Sequence, residues 1–205
     1  MTAVRELTAK YQRQLRGLRR HCQRVDRLHL SGALGVKDCE LVYESGFLTA
    51  FAHWEHFLWE LIVQAVCGPP SPKPGNSRLL KPRSRAAFTK ILLQNRSYLS
   101  LSSYPEVVKC ARLYLKEGRP FSALDDTYRT RLEEARYVRD AIAHRSRYAI
   151  TRFRQRVGGV ASVPQSRRHP GPFLRHVYRV SPTKTRLDLY VDTFILASEQ
   201  LALAW

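Results

Sequence analysis

The stretch Tyr43-Glu-Ser-Gly-Phe-Leu-Thr-Ala-Phe-Ala-His-Trp-Glu55-His-Phe-Leu-Trp-Glu-Leu61 sets the fold class. Phe47, Phe51, Trp54, Leu58, Ile62 and Ala65 recur at helical spacing as one apolar stripe, and Tyr43, Ala50, Phe57 and Leu61 form a second. A helix that is apolar on more than one face is buried between several others. The segment Asp38 to Val66 is therefore expected to be the central helix of an all-α bundle, with Asp38 as its N-cap. It carries five carboxylates and no Lys or Arg. Gly68-Pro-Pro-Ser-Pro-Lys-Pro-Gly75 then stops any helix, and 68–82 reads as a Pro-rich loop.

Outward from this segment the pattern stays helical. From Met1 to about Leu30, Leu7, Tyr11, Leu15, Leu18, Val25 and Leu28 return every three or four residues, and Ser31 to Val36 reads as a turn. Short helices are expected from Arg83 to Leu93 and from Pro105 to Lys116, where Pro105 suits a first-turn position. Ser122 or Asp125 caps a longer helix through Leu124, Tyr128, Leu132, Ala135, Val138, Ile142 and Ala149, ending near Tyr148. Leu187 to Trp205 is the last helix, with Leu189, Ile195/Leu196, Leu201 and Leu203 facing inward. Between them, Gly158-Gly159 flanked by Phe153, Val157, Val160 and Val163 suggests a hairpin turn. Leu174, Val177, Tyr178 and Val180 suggest a second extended piece. The expectation is one domain over 1–205, of five to seven helices, with core helices at about 38–150 and 187–205. A basic, partly extended insertion at 150–186 precedes the last helix.

Charge narrows the partners. The chain has 205 residues and 35 Lys+Arg, 27 of them Arg, against 17 Asp+Glu, a net charge of +18. Such an excess repels itself and is easiest to reconcile with a polyanionic partner, and the planar guanidinium favours phosphate. Residues 145–186 contain ten Arg, one Lys and no Asp or Glu. With Tyr148, Phe153, Phe173 and Tyr178 interleaved, they offer phosphate contacts beside planar groups for base stacking. Arg145, Arg147, Arg152, Arg154, Arg156, Arg167 and Arg168 are the candidate RNA contacts. The alternative is a solvated face. No secretory signal is visible in Met1 to Leu15 and no run of about twenty apolar residues occurs. Cys22, Cys39, Cys67 and Cys110 form no CxxC pair, which favours free thiols in a reducing cytoplasm without membrane contact.

Two polar constellations could carry chemistry. His53, His56 and Glu60 lie at i, i+3 and i+7 on one face of the aromatic helix and could hold a divalent metal, but satisfied polar groups are the preferred reading and no metal or cofactor is expected. The second is Arg136-Tyr-Val-Arg139-Asp140-Ala-Ile-Ala-His144-Arg145, in which an Arg, a short polar residue and, four residues after the Arg, a His follow one another late in a long helix. With the aromatic helix upstream, this segment resembles the Arg-x(4–6)-His signature of the HEPN superfamily, small all-helical proteins that include many ribonucleases, and in particular its RiboL-PSP and related groups. The resemblance spans about residues 38–150 and leaves the basic insertion without a counterpart. Where some HEPN toxins carry a Tyr two residues after the His, a site modified by a partner nucleotidyltransferase, this chain has Ser146.

The resemblance implies a HEPN-like bundle and a metal-independent endoribonuclease that works as a homodimer, as a toxin or anti-phage effector, possibly held by an antitoxin or defence-system partner protein. His144 would move the proton of the RNA 2′-hydroxyl and Arg139 would stabilise the transition-state charge. Five residues of helix turn through about 500°, which leaves Arg139 and His144 about 140° apart. They share one spot only where the helix loosens near its end or where two copies combine. Asp140 lies four residues before His144 and can orient it; Arg136-Asp140-His144-Tyr148 extends a polar stripe, and Glu55 could hold an Arg bidentately. A satisfied ion-pair network is the rival account of Arg139, Asp140 and Glu55. Two other functions remain open: a non-catalytic HEPN-like RNA binder or scaffold, which needs the arginines but not His144, and a helical DNA-binding regulator, for which no clear helix-turn-helix spacing exists.

Overall fold

A computed structural model describes residues 3–71, 73, 76–94, 99–159 and 163–205. The protein is all-α: its described residues form eight helices and one two-stranded ribbon. These are α1 (Ala3–Leu30), α2 (Val36–Cys67), α3 (Arg85–Leu93), α4 (Tyr104–Arg112), α5 (Asp126–His144), α6 (Arg147–Phe153), α7 (Pro170–Arg175), β1 (Val177–Arg179), β2 (Lys184–Thr185) and α8 (Arg186–Ala204). Among the described residues no helix is long and apolar enough to cross a membrane.

The two aromatic stripes of α2 are both buried, and α1, α3, α5, α7 and α8 pack around it. Trp54 stacks on Phe194 of α8 at 5.7 Å and on Phe57 at 5.7 Å, and Phe57 in turn stacks on Tyr11 of α1 at 4.8 Å. Phe47 meets Tyr190 edge-on at 5.4 Å. α1 and α2 approach closely at Gly46, where a Cβ would lie 3.0 Å from the Cys22 sulfur. Asp38 is not the cap of α2. The helix begins two residues earlier, with Gly35 at the N-cap position, and Asp38 sits in the first turn, where its charge complements the exposed N–H groups. In α1, Leu28 is 45% exposed because the last turn of α1 runs past Cys39, the first buried residue of α2.

Three boundaries differ from expectation for local reasons. α5, capped by Asp125 accepting from the Thr127 N–H at 2.7 Å, stops at His144. Arg145 takes a left-handed backbone (φ 48°), and Ser146 caps a new helix by accepting from the Ala149 N–H at 3.2 Å, so Tyr148 lies on α6. No strand occupies the start of the insertion. Phe153 and Val157 are buried four residues apart, a helical interval, and Phe153 meets Phe173 edge-on at 5.3 Å. The backbone continues from α6 into a wide turn closed by the Gly159 N–H on the Arg154 carbonyl at 2.7 Å; the rest of the expected hairpin, from Val160, lies outside the described residues. The second extended piece is present as Val177 and Tyr178 in β1, but Leu174 belongs to α7 and Val180 is 81% exposed beyond the strand.

α8 starts at a capping box in which Thr185 and Asp188 satisfy each other's backbone N–H groups. Its inward face is Leu187, Tyr190, Val191, Phe194, Ala197 and Leu201 rather than the expected set, with Leu196 45% and Leu203 63% exposed. α7 is held on α2 by the Gly171 N–H, which donates to the Glu44 carboxylate at 3.0 Å. Phe47 is fully buried and touches Phe51, Tyr190 and Phe194. Phe47→Ala should cost about 3–5 kcal/mol, read as a lower urea midpoint with an unchanged slope; a loss under about 1 kcal/mol would mean that α2 is not the core.

Candidate active site

Arg139 and His144 line one cleft of about 610 Å³ within a single chain, together with Glu55, His56, Trp59, Leu93 and the segment Leu99–Leu101. Of the two routes by which they can meet, the chain takes the first. Arg139 projects from the body of α5, whereas His144 is its last residue, freed by the left-handed turn at Arg145. Glu55, His56 and Trp59 come from α2, and the opposite wall is pinned by Leu101, which is 3% exposed. Leu93, Trp59 and Leu99 make part of the lining apolar, so the cleft offers a few convergent polar groups against an apolar wall, as ligand sites do.

The charged groups order themselves along α5. Arg136 pairs with Glu133 at 3.0 Å and with Asp140 at 3.6 Å, and Arg139 donates to Asp140 at 3.0 Å. Asp140 thus engages the two arginines and not the imidazole; among the described residues the His144 side chain makes no hydrogen bond. The expected bidentate grip of Glu55 on an Arg is also not formed, since the guanidinium hydrogen bond of Arg139 goes to Asp140. Burial pushes the Glu55 carboxyl above the usual carboxylate range, while the Arg139 charge and the Leu101 backbone N–H pull it back and the Asp140 charge pushes it further up. Tyr148 lies away from the cleft, 69% exposed on α6, where its hydroxyl accepts from Arg152 at 2.6 Å.

His56 was legible only as a member of a possible metal set, and the fold divides that set. His56 faces the cleft, His53 lines a groove between α1 and α2 beside Arg13 and His21, and Glu60 accepts from Arg85 at 2.7 and 2.8 Å. Burial and then the neighbouring His56 charge hold the His53 imidazole below its usual range. Among the described residues no three His, Cys, Asp or Glu side chains group closely enough to hold a metal ion.

The basic run is not uniform. Arg145 pairs with Glu44 at 3.2 Å, Arg175 with Asp26 at 3.5 Å, and Lys184 with Asp192, so carboxylates of α1, α2 and α8 neutralise part of it. Arg154 and Arg168 are turned onto neighbouring groups, His169 at 3.0 Å and the Val163 carbonyl at 3.1 Å. Arg147, Arg152, Arg156 and Arg167 have no carboxylate partner among the described residues. Comparison with known proteins returns no family model, no curated protein and no solved structure that matches the chain.

The raised Glu55 carboxyl carries a stability signature. Its folded-state affinity for the proton exceeds its unfolded one, so ionised Glu55 opposes folding above its folded pKa and ceases to do so once pH falls below the ordinary carboxylate range. Glu55→Gln should therefore raise the urea midpoint at neutral pH, and its advantage over the parent should vanish as the pH is lowered towards 4. An advantage that does not change with pH would mean that the carboxyl is not desolvated in the folded protein.

Proposed function

We propose that the chain is a metal-independent endoribonuclease of the HEPN type, and the observation that carries this reading is the meeting of Arg139, His144, His56 and Glu55 in one cleft. RNA brings its own nucleophile. As the 2′-oxygen attacks phosphorus, its proton passes to His144; the P–O5′ bond breaks and the leaving oxygen takes a proton from His56, now assigned to the role of acid. Arg139 stabilises the extra charge on the phosphorane-like intermediate. The products are a 2′,3′-cyclic phosphate and a 5′-hydroxyl, with one proton taken up and one delivered. Glu55 and Asp140 position Arg139 through their charge. The +18 balance supports RNA as substrate, and the HEPN resemblance supports a homodimer acting as a toxin or anti-phage effector under the control of a partner protein.

The second reading keeps RNA binding without cleavage. It is favoured by the Arg139–Asp140 contact, because a guanidinium already engaged by a carboxylate must exchange that partner for phosphate. The imidazoles separate the two readings. His144→Ala should lower cleavage about 10²–10⁴-fold, the usual contribution of a positioned acid or base, while affinity for a 2′-deoxy oligonucleotide stays within a few-fold; His56→Ala should behave alike. Cleavage should persist in excess EDTA. Full cleavage by both variants, or equal loss of cleavage and binding, overturns the catalytic assignment.

Because each chain supplies Arg139 and His144 to its own cleft, mixed dimers of His144→Ala and Arg139→Ala chains should stay inactive after demonstrated subunit exchange. Partial recovery would mean that a working cleft draws its Arg and His from two chains.

A further inference from the structure

A second cleft, of about 600 Å³, lies between α4 and α5, lined by other residues than those around Arg139 and His144. Its floor is apolar, from Tyr104, Pro105 and Val108, and its rim carries Lys109, Arg112, Arg129 and Arg156. The two carboxylates within it are already engaged: Glu133 by Arg136 and the Tyr104 N–H at 3.0 Å, Glu134 by Arg131 at 2.7 Å. Arg112 and Arg156 have no ion-pair partner among the described residues. One turn before Arg156, Arg152 is held by two phenol oxygens, donating to Tyr148 at 2.6 Å and to Tyr137 at 3.1 Å, and Tyr137 also lines the cleft. Arg152 lies over both rings, 5.2 Å from the Tyr137 centroid and 5.5 Å from that of Tyr148. The outer ring of this row, Tyr148, is 69% exposed.

We infer that this cleft and the Tyr148–Arg152–Arg156 row form a subsite for unpaired nucleic acid, separate from the bond-breaking cleft, in which Arg112, Arg152 and Arg156 take backbone phosphates and Tyr148 stacks on a base. Cations without carboxylates beside an exposed ring match a single strand, whose phosphates and bases alternate along the chain; an acidic peptide or a sulfated polysaccharide supplies charge but no planar ring to stack. The fixed guanidinium of Arg152 also loses little freedom on binding phosphate, since two hydroxyls already orient it. This inference rests on reading the chain as an RNA binder and does not require that it cleave.

The test uses a fluorescent single-stranded 2′-deoxy oligonucleotide, which 2′-hydroxyl chemistry cannot cut, and heparin as a polyanion without bases. Tyr148→Ala should weaken oligonucleotide binding about 5- to 100-fold, the loss of one base–aromatic stack, while its salt slope and its heparin affinity stay unchanged. Tyr148→Phe should keep the oligonucleotide affinity. Arg112→Gln with Arg156→Gln should flatten the salt slope by about 1.4, or about 0.7 per lost phosphate contact. Unchanged affinity in Tyr148→Ala, an equal loss for heparin, or an unchanged slope in the double variant overturns the subsite, as does failure of the parent chain to bind the oligonucleotide. A chain that binds with these signatures and cuts no RNA leaves the subsite standing and overturns the ribonuclease reading alone.

Discussion

A helix of 32 residues that buries Tyr43, Phe47, Phe51, Trp54, Phe57, Leu58, Leu61 and Ile62 has no bare side, and this constraint governs everything around it. Each buried ring removes apolar area from water at roughly 25 cal/mol per Å², so neighbours must arrive from every direction. α1 covers one flank through Tyr11 and Leu15, α8 another through Tyr190 and Phe194, and α5 and α7 close the rest. Only where α2 carries polar residues does the cover open. Glu55, His56 and Trp59 stand at one such gap, and the cleft with Arg139 and His144 forms there. The candidate site is thus a consequence of how the core is clad.

Its second determinant is the end of α5. An uninterrupted helix through Tyr148 would hold His144 and Arg139 at a fixed angular separation. The left-handed Arg145 and the Ser146 cap end the helix at the histidine, so His144 stands at a rim where its ring is not constrained by a following turn. A non-glycine residue at positive φ is disfavoured. The conformation therefore needs support, which the Arg145–Glu44 pair and the burial of Ala149 and Phe153 one turn later supply.

The core was legible because one residue type in one rhythm determines it: every member of the two α2 stripes is buried. The α8 face was not. Leu189, Leu196 and Leu203 match the apolar rhythm as well as Tyr190, Phe194 and Leu201 do, and only the position of Phe47 and Trp54 opposite decides between the two arcs. At the candidate site, Arg139 and His144 were legible through their local spacing. His56 joins them across a sequence distance that no local pattern spans, and it was hidden by its neighbour His53, which makes the pair look like a metal set. The insertion misled for a related reason: Gly158-Gly159 signals a turn equally well in a hairpin and after a helix, and the choice rests on Phe173, a partner distant in sequence.

Charge completes the logic. A chain with +18 must place its few carboxylates where the fold needs them. Asp26, Glu44, Asp188 and Asp192 go to the seams where α1, α2 and α8 receive the basic insertion, and there they tie down Arg19, Arg145, Arg175 and Lys184. Those cations belong to the architecture, and neutralising them weakens the fold before it weakens any partner. Arg112, Arg147, Arg156 and Arg167 have no such counter-charge among the described residues. Their mutual repulsion is relieved only by ions from outside, so a polyanion that binds here displaces small counterions from groups the fold itself leaves uncompensated, and gains entropy by doing so.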